Sequence, residues 1–219
     1  MAKTPAPGRC KTRLCPPCTY EEAARLAAMA LRDTVDVVSA TPASRRVLVF
    51  DGPAPEWLPP DYSVIPQRGT GLDERLAAAF EDAGGSSLLV GMDTPHLDRR
   101  LLHEAATTLS RSDTDAVLGP SVDGGYWAIG LQVPGQRVFL GVPMSDAATG
   151  AAQWERLREL GLRTETLPAL RDVDCFEDAL EAAKLAPGTR FAAGLRALEE
   201  GERASAEGGY EPQPRPRGR

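Results

Sequence analysis

Hydrophobic and polar positions along this chain follow two rhythms in turn. Ala24, Ala27, Ala28, Leu31, Val35 and Val38 recur at helical spacing, and Thr19-Tyr20-Glu21-Glu22 ahead of them reads as a capping box, with Thr19 as N-cap and Glu22 at N3. A long helix is predicted there, after an irregular start in which Pro5, Pro7 and Gly8 forbid regular structure. Arg46-Val47-Leu48-Val49-Phe50 is a short apolar run closed by Asp51-Gly52-Pro53, the pattern of a buried strand ended by a turn. Four prolines between Gly52 and Pro60 make that stretch a loop, and Tyr62 to Ile65 predicts a second strand. Gly69-Thr70-Gly71 then leads into a helix with Leu72, Leu76, Phe80 and Ala83 on one face, stopped by Gly84-Gly85.

The alternation continues. Ser87 to Gly91 predicts a third strand, ending at Met92-Asp93-Thr94-Pro95, and Leu97, Leu101, Ala105 and Leu109 form the next helical stripe. Ala116 to Gly119 and Tyr126 to Leu131 predict two more strands, joined through Asp123-Gly124-Gly125. Ala148, Ala151, Trp154 and Leu157 mark a helix ending near Gly161, and a short strand is expected around Arg163 to Leu167. Arg171-Asp172-Val173-Asp174 precedes a helix with Leu180 and Ala183, and Phe191, Leu195 and Leu198 close the pattern with a last helix. Residues 201–219 are rich in Gly, Glu, Pro and Arg and read as a disordered tail, leaving a single domain over residues 1–200. The expected fold class is α/β, a three-layer sandwich with a mostly parallel sheet. In such sheets ligands bind beyond the carboxyl ends of the strands. Asp93 sits at such an end, and Asp123 and Asp172 lie in loops or strand ends that could converge there.

Composition narrows the function classes. The chain has 219 residues, 42% hydrophobic and 26% charged, enough for a real core. Aromatics are only 5%, which argues against binding single strands by base stacking. A net charge of −6 argues against nonspecific nucleic-acid binding through a basic surface. No apolar run approaches the roughly 18 residues that span a bilayer, and no signal peptide is visible, so the expected compartment is the cytoplasm, with neither nucleic acid nor membrane as a partner. Cys10, Cys15 and Cys18 cluster in a Pro-rich stretch, with Cys175 far away in sequence. A structural zinc site wants four thiolate or imidazole ligands, and the two histidines, His96 and His103, lie near a different motif. The plainer reading is loop cysteines kept reduced in a cytosol.

Four segments carry candidate chemistry. In Gly8-Arg9-Cys10-Lys11-Thr12-Arg13, Gly8 permits close approach of the backbone to an anion, Lys11 offers a point charge and Arg13 a bidentate fork. The plain alternative is a solvated basic loop. Asp93, at a buried strand end, is costly unless paired, and a divalent cation shared with phosphate oxygens would satisfy it; equally, Asp93 or Thr94 could cap the helix that follows. Asp123-Gly124-Gly125 is a strong hairpin signal, or a place where a polar acceptor touches backbone amides. Asp174 with Glu177 reads as a capping box, which leaves Asp172 without a local task and makes it the better metal candidate, although the two could be swapped.

The ordered set PAPGRCKTRL, CPPCTYEEAA, GTGLDERLAAAF, GMDTPHL, GPSVDGGYWAIGL and DVDCFEDAL resembles the rSAM/selenodomain-associated transferase family, over roughly residues 2–198. More distantly it is similar to the phospholactate and molybdenum-cofactor guanylyltransferases. The resemblance implies a GT-A-type, nucleotide-diphospho-sugar transferase-like fold. It implies that Gly8, Lys11, Arg13 and Gly71 bind nucleotide, with Lys11 and Asp93 catalytic. Asp93 would bind Mg²⁺ (or Mn²⁺) with Asp172 or Asp174, and Asp123, Gly124 and Gly125 would border the acceptor pocket. One departure stands out. Relatives carry an apolar strand before the basic loop, whereas only Met1, Ala2, Lys3 and Thr4 precede Pro5 here, so a central first strand is expected to be missing or reduced to a stub. Either the start codon lies upstream, or the nucleotide floor is incomplete.

Three activities follow. The first is nucleotidyl transfer from a nucleoside triphosphate to a small phosphorylated acceptor, with release of pyrophosphate; it suits the cationic loop and the absence of a credible Ser-His or Cys-His pair. The second is glycosyl transfer from a nucleotide-sugar, with Asp123 as base for the small-molecule acceptor, though the strand end reads Asp-Thr-Pro rather than Asp-x-Asp. The third is an inactive relative that keeps the fold and binds nucleotide without turnover.

Overall fold

The capping box at Thr19 forms as its residue types dictate: the Thr19 hydroxyl accepts from the Glu22 amide at 3.2 Å, and the Glu22 carboxylate accepts from the Thr19 amide at 2.8 Å. It starts α1 (Tyr20–Ser39), the longest helix of the apolar-striped set. The structure, a computed structural model, describes residues 1–207. Its strands are β1 (Ala2–Lys3), β2 (Arg46–Asp51), β3 (Tyr62–Pro66), β4 (Ser87–Val90), β5 (Ala116–Pro120), β6 (Tyr126–Leu131) and β7 (Thr164–Thr166). The remaining helices are α2 (Leu72–Ala83), α3 (Arg99–Leu109), α4 (Thr149–Glu159), α5 (Phe176–Leu185) and α6 (Arg190–Glu207). Helix α6 continues to Glu207, past the expected domain end at residue 200, and the rest of the expected tail, 208–219, lies outside the described residues.

The strands form two pieces, a parallel sheet in the order β1-β2-β3 and a mixed sheet in the order β4-β6-β5-β7. Within the second, β6 runs antiparallel to β4 and β5, while β7 is parallel to β5. The mostly parallel arrangement therefore holds, with β6 as the reversed strand. The expected stub is present as the two-residue β1, which pairs with β2 through Ala2 opposite Phe50 and Lys3 opposite Asp51. The Met1 ammonium donates to the Val90 carbonyl at 2.8 Å, and this contact ties β1 to β4.

Side chains alternate across the sheet and create the layers. On one side Leu31 and Val35 of α1 pack with Ala2, Leu48 and Phe50, and Leu101, Ala105 and Leu109 of α3 pack with Val117 and Trp127. On the other, Leu76 and Phe80 of α2 and Leu157 of α4 meet Ala116, Leu118, Ile129 and Leu131. Each such Leu or Phe, fully buried, contributes about 1.5–3 kcal/mol. Helices α5 and α6 lie outside α1, where Ala179, Phe191 and Leu195 cover Leu26 and Ala30. The buried Asp33 carboxylate fixes the start of α6 by accepting from the amides of Arg190 at 3.1 Å and Phe191 at 2.9 Å.

One glycine in β5 is required by packing. A Cβ on Gly119 would lie 2.5 Å from the indole of Trp127, whose Nε1 is held on the Pro168 carbonyl at 3.0 Å. The ring is 2% exposed and has no room to move aside. Gly119→Ala should therefore lose about 1–3 kcal/mol of stability through overpacking and shift the tryptophan emission. Urea unfolding followed by fluorescence measures both, and an unchanged midpoint would show that the indole can slide.

Candidate active site at the strand ends

The basic loop after β1 turns back on itself. Gly8 adopts φ +69 with open space around it, Arg9 N–H donates to Ala6 O at 3.1 Å, and Lys11 takes the left-handed conformation at φ 49, ψ 35. A non-glycine residue held there is uncommon, and such outliers concentrate at functional sites. The turn sends the Lys11 ammonium inward, 2.7 Å from an Asp93 oxygen and 3.8 Å from Asp174, where it also donates to the Val173 carbonyl. Only 11% of the Lys11 side chain is exposed. Arg13 lies outside, 79% exposed, 3.4 Å from the other Asp174 oxygen.

Asp93 follows β4 as the alternation predicts. Its own carbonyl accepts from Val173 N–H at 2.9 Å, so segment 171–174 runs alongside it. On its other side that segment meets the β5–β6 turn, where Val122 N–H donates to Leu170 O at 2.9 Å and Ser121 bridges Leu170 in parallel. Asp172 thus sits between Asp93 and Asp123. Burial, then the charges of Asp93 and Asp123, push its carboxyl up to about 7, with Ser121 and Lys11 pulling the other way. Its Oδ1 is buried without a hydrogen-bond partner among the described residues, as is the Thr94 hydroxyl.

The capping assignment near α5 moves by one residue. Cys175 is the N-cap, and Asp178 accepts from its amide at 3.0 Å and from the Asp174 amide at 3.2 Å. The expected Asp174–Glu177 box does not form. The Asp174 carboxylate is left to face Lys11 and Arg13, so the capping argument that singled out Asp172 does not hold, although Asp172 Oδ1 is buried without a hydrogen-bond partner among the described residues. The hairpin reading of Asp123-Gly124-Gly125 holds as well: Asp123 Oδ1 accepts from Gly125 N–H at 3.0 Å, and Gly124 sits at φ +93, its missing Cβ leaving room for the Ala147 carbonyl.

A cavity of about 240 Å³ opens at this corner, lined by Lys3, Cys10, Lys11, Arg13, Asp93 and Asp174 among others. Gly8, Gly71, Asp123, Gly124, Gly125 and Asp172 are not part of its lining; Gly71 is the N-cap of α2. Lys3 was not anticipated, although its place at the end of a strand feeding the loop is a signal the sequence carries. Among the described residues no three His, Cys, Asp or Glu side chains are gathered as a preformed metal cage. The donors are nevertheless of the right chemistry for a hard divalent cation. Carboxylate oxygens at Asp93 and Asp172 could be completed by phosphate oxygens of a ligand, the usual way Mg²⁺ is held. Cys10 is buried with its thiol donating to the Ala6 carbonyl at 3.3 Å, and burial, then Glu21 and Glu22, raise the Cys15 thiol. Among the described residues no helix is long and apolar enough to cross a membrane.

Residues 25–146 match the family described as "Uncharacterized protein conserved in bacteria (DUF2064)". The chain belongs to that family. The matched span contains Asp93 and Asp123 but neither Lys11 and Arg13 nor Asp172 and Asp174. Among solved structures, a nucleotide-diphospho-sugar transferase candidate from Desulfovibrio desulfuricans G20 is 26% identical, with a TM-score of 0.78 over 90% of this chain and 92% of that one. Rv0371c from Mycobacterium tuberculosis H37Rv is 18% identical over 84% of this chain and 95% of its own, with a TM-score of 0.46. The same protein in complex with manganese is 17% identical over 84% and 97%, with a TM-score of 0.45. No curated protein matches at a significant level. The α/β fold expected from the sequence, of the nucleotide-diphospho-sugar transferase type, is the fold observed.

The raised Asp172 carboxyl sets a pH dependence. Unfolded, it releases its proton near the ordinary 3.8; folded, it holds the proton up to about 7. The folded state then binds more protons between those values, so stability falls as pH rises from about 4 to 7. The three-unit span corresponds to at most roughly 4 kcal/mol. Asp172→Asn should flatten that fall and be the more stable protein at pH 8 in EDTA. Parallel urea curves at pH 5 and 8 for both proteins measure it, and identical pH slopes would place the Asp172 carboxyl in water.

Proposed function

We propose that the chain is a transferase for nucleotide-activated substrates and that it acts by nucleotidyl transfer, as the resemblance to the rSAM-associated transferases and the guanylyltransferases implies. The observation that carries this reading is the cation set of one small cavity: Lys3, Lys11 and Arg13 surround it at the carboxyl ends of the strands, with Asp93 beside them. Three positive side chains suit a triphosphate better than the diphosphate of a sugar donor. In the reaction, an oxygen of the acceptor phosphate attacks the α-phosphorus in line, the α–β P–O bond breaks, and pyrophosphate leaves with the bonding electrons. No protein nucleophile is needed.

The roles divide by geometry. Lys11 presents a buried point charge where charge develops on the α-phosphate, and Arg13, exposed and forked, reaches the outer phosphates. Asp93 and Asp172 would hold Mg²⁺ or Mn²⁺, which when bound screens the phosphate oxygens from the incoming acceptor. Gly8 lets the loop backbone approach the phosphates, Gly71 at the start of α2 meets the nucleotide, and the Asp123-Gly124-Gly125 turn borders the small-molecule acceptor. A net charge of −6 favours such a substrate over nucleic acid, and the cytoplasm is the expected setting.

Glycosyl transfer is the second reading, supported by the 26% identity to the candidate nucleotide-diphospho-sugar transferase. There Asp123, exposed on its hairpin, would accept the proton of an acceptor hydroxyl. Calorimetry with nucleoside triphosphates and with nucleotide-sugars, each with Mg²⁺, separates the two. Tighter triphosphate binding is expected, and nucleotide-sugar binding alone would overturn the first reading. An inactive relative would bind nucleotide with the same residues but release neither pyrophosphate from a triphosphate nor a nucleoside diphosphate from a nucleotide-sugar.

Three variants test the residue roles. Lys11→Ala and Arg13→Ala should each weaken triphosphate binding about tenfold or more, since charge-assisted contacts contribute about 1.5–3 kcal/mol, and weaken monophosphate binding less. Asp93→Ala should abolish the Mg²⁺ dependence of binding and, because the Lys11 ammonium loses a close partner, lower the melting temperature while the fold is kept. Equal losses for both ligands, or retained Mg²⁺ dependence in the Asp93 variant, would move the phosphates elsewhere.

A further inference from the structure

Four buried side-chain polar atoms lack a hydrogen-bond partner among the described residues: the Thr94 and Ser121 hydroxyls, His96 Nδ1 and Asp172 Oδ1. None belongs to the lining of the larger cavity, about 670 Å³ between β2 and β4. All four lie in the segments that follow β4 and β5 or run beside them. Two of them lie together. Ser121 bridges Leu170 in parallel, with Leu170 N–H donating to Pro120 O at 3.1 Å and Val122 N–H donating to Leu170 O at 2.9 Å. Side chains alternate along an extended segment, so Asp172, two residues beyond Leu170, returns to the side of Ser121. The Ser121 hydroxyl is near enough to favour the charged form of the Asp172 carboxyl over the neutral one.

Ser121 is placed with little freedom. Its N–H donates to Gly125 O at 3.0 Å, its carbonyl accepts from Gly124 N–H at 3.1 Å, and the residue is 6% exposed. Just before it, the pairing of β5 with β6 shifts register between Gly119 and Pro120. Such a bulge re-aims the side chains near it, and bulges are common beside active sites. Both backbone groups of Ser121 are used in the turn, and the hydroxyl alone has no structural task. A buried hydroxyl without a partner destabilises a fold, so packing does not account for a serine here.

We propose that Ser121 is a positioning residue for the cation site: its hydroxyl donates to Asp172 Oδ1 and turns Oδ2 toward the ion that Asp172 shares with Asp93. The inference rests on the proposed reading in which those two carboxylates hold Mg²⁺ or Mn²⁺. Oδ2 is not shut away without a partner as Oδ1 is. Carboxylates that bind a metal are in turn hydrogen-bonded, and loss of such a partner typically weakens metal binding about 10–100-fold. A serine hydroxyl rotates to suit its neighbour and makes that bond once the carboxylate is charged. Ser121 touches neither phosphate nor acceptor in this arrangement and acts through Asp172.

The test follows binding of the Mn²⁺ complex of inorganic tripolyphosphate, read from the water-proton relaxation of the ion, in the full chain and in Ser121→Ala, Asp172→Asn and the double variant. Ser121→Ala should bind the complex about tenfold more weakly or worse. It should nevertheless melt in EDTA at the wild-type temperature or above, because an unsatisfied hydroxyl has been removed. Asp172→Asn should also weaken binding, and adding Ser121→Ala to it should change nothing further. Unchanged binding in Ser121→Ala beside weakened binding in Asp172→Asn would overturn the role of Ser121 and leave the cation reading standing. Unchanged binding in Asp172→Asn would overturn that reading and this proposal with it. A further loss in the double variant as large as in Ser121→Ala alone, or a clear drop in the melting temperature of Ser121→Ala in EDTA, would make Ser121 a structural residue and overturn the proposal.

Discussion

The Lys11 ammonium holds three separate stretches of chain at one point. Its partners are Asp93 at the end of β4, the Val173 carbonyl in the segment before α5, and the Asp174 carboxylate one residue on. A buried ammonium without partners would be strongly disfavoured, so the loop at Lys11, the end of β4 and segment 171–174 are placed by the same charge. The left-handed backbone at Lys11 is tolerated because those contacts over-determine it. Removing any one acceptor leaves the charge less compensated, which is why the corner behaves as a unit although its residues lie up to 163 positions apart in the chain, from Lys11 to Asp174.

The architecture was legible because period and punctuation agreed. Helix α1 follows from its capping box and stripe, β2 and β5 from continuous apolar runs, and α2 from Gly71 and Gly84 at its two ends. The reversal of β6 was half-written, since Asp-Gly between two strands signals a hairpin and a hairpin requires antiparallel strands. The break in the sheet could be inferred only as a short start. No local pattern says that β2 and β4 stand apart with a cavity between them, because that is a relation between elements far apart in sequence.

The site was legible in its residue types and less so in its pairings. Lys11, Arg13, Asp93 and Asp174 line one cavity, whereas strand-end geometry pointed to Asp93, Asp123 and Asp172, of which only Asp93 lines it. The capping box shifted because a cysteine can occupy the N-cap when an aspartate three residues on accepts its amide, and sequence preference ranks Asp174 ahead of Cys175 for that place. Lys3 escaped notice because a two-residue strand carries no periodic signal. The pairing of Lys11 with Asp93 likewise has no sequence signature, since it depends on a turn that only the left-handed residue makes.

That pairing bears on how a phosphate ligand would enter. The Lys11 ammonium donates to the Val173 carbonyl, lies 2.7 Å from an Asp93 oxygen, and faces Asp174 only at 3.8 Å, beyond hydrogen-bond reach. A phosphate oxygen entering beside Lys11 competes with these partners. Asp93, 44% exposed, is the easiest to displace, whereas the Val173 carbonyl is fixed by the backbone. On the proposed reading the carboxylate so released is the same one assigned to the cation. Phosphate and cation would then arrive at a site whose internal ion pair they replace on both sides, the phosphate satisfying Lys11 and the metal satisfying Asp93. The ion pair keeps each charge compensated while no ligand is bound, and its exposure to water on one side keeps the exchange inexpensive. Arg in place of Lys11 would not serve equally, because a planar fork spreads its donors in one plane, while Asp93 and the Val173 carbonyl meet at a single point charge.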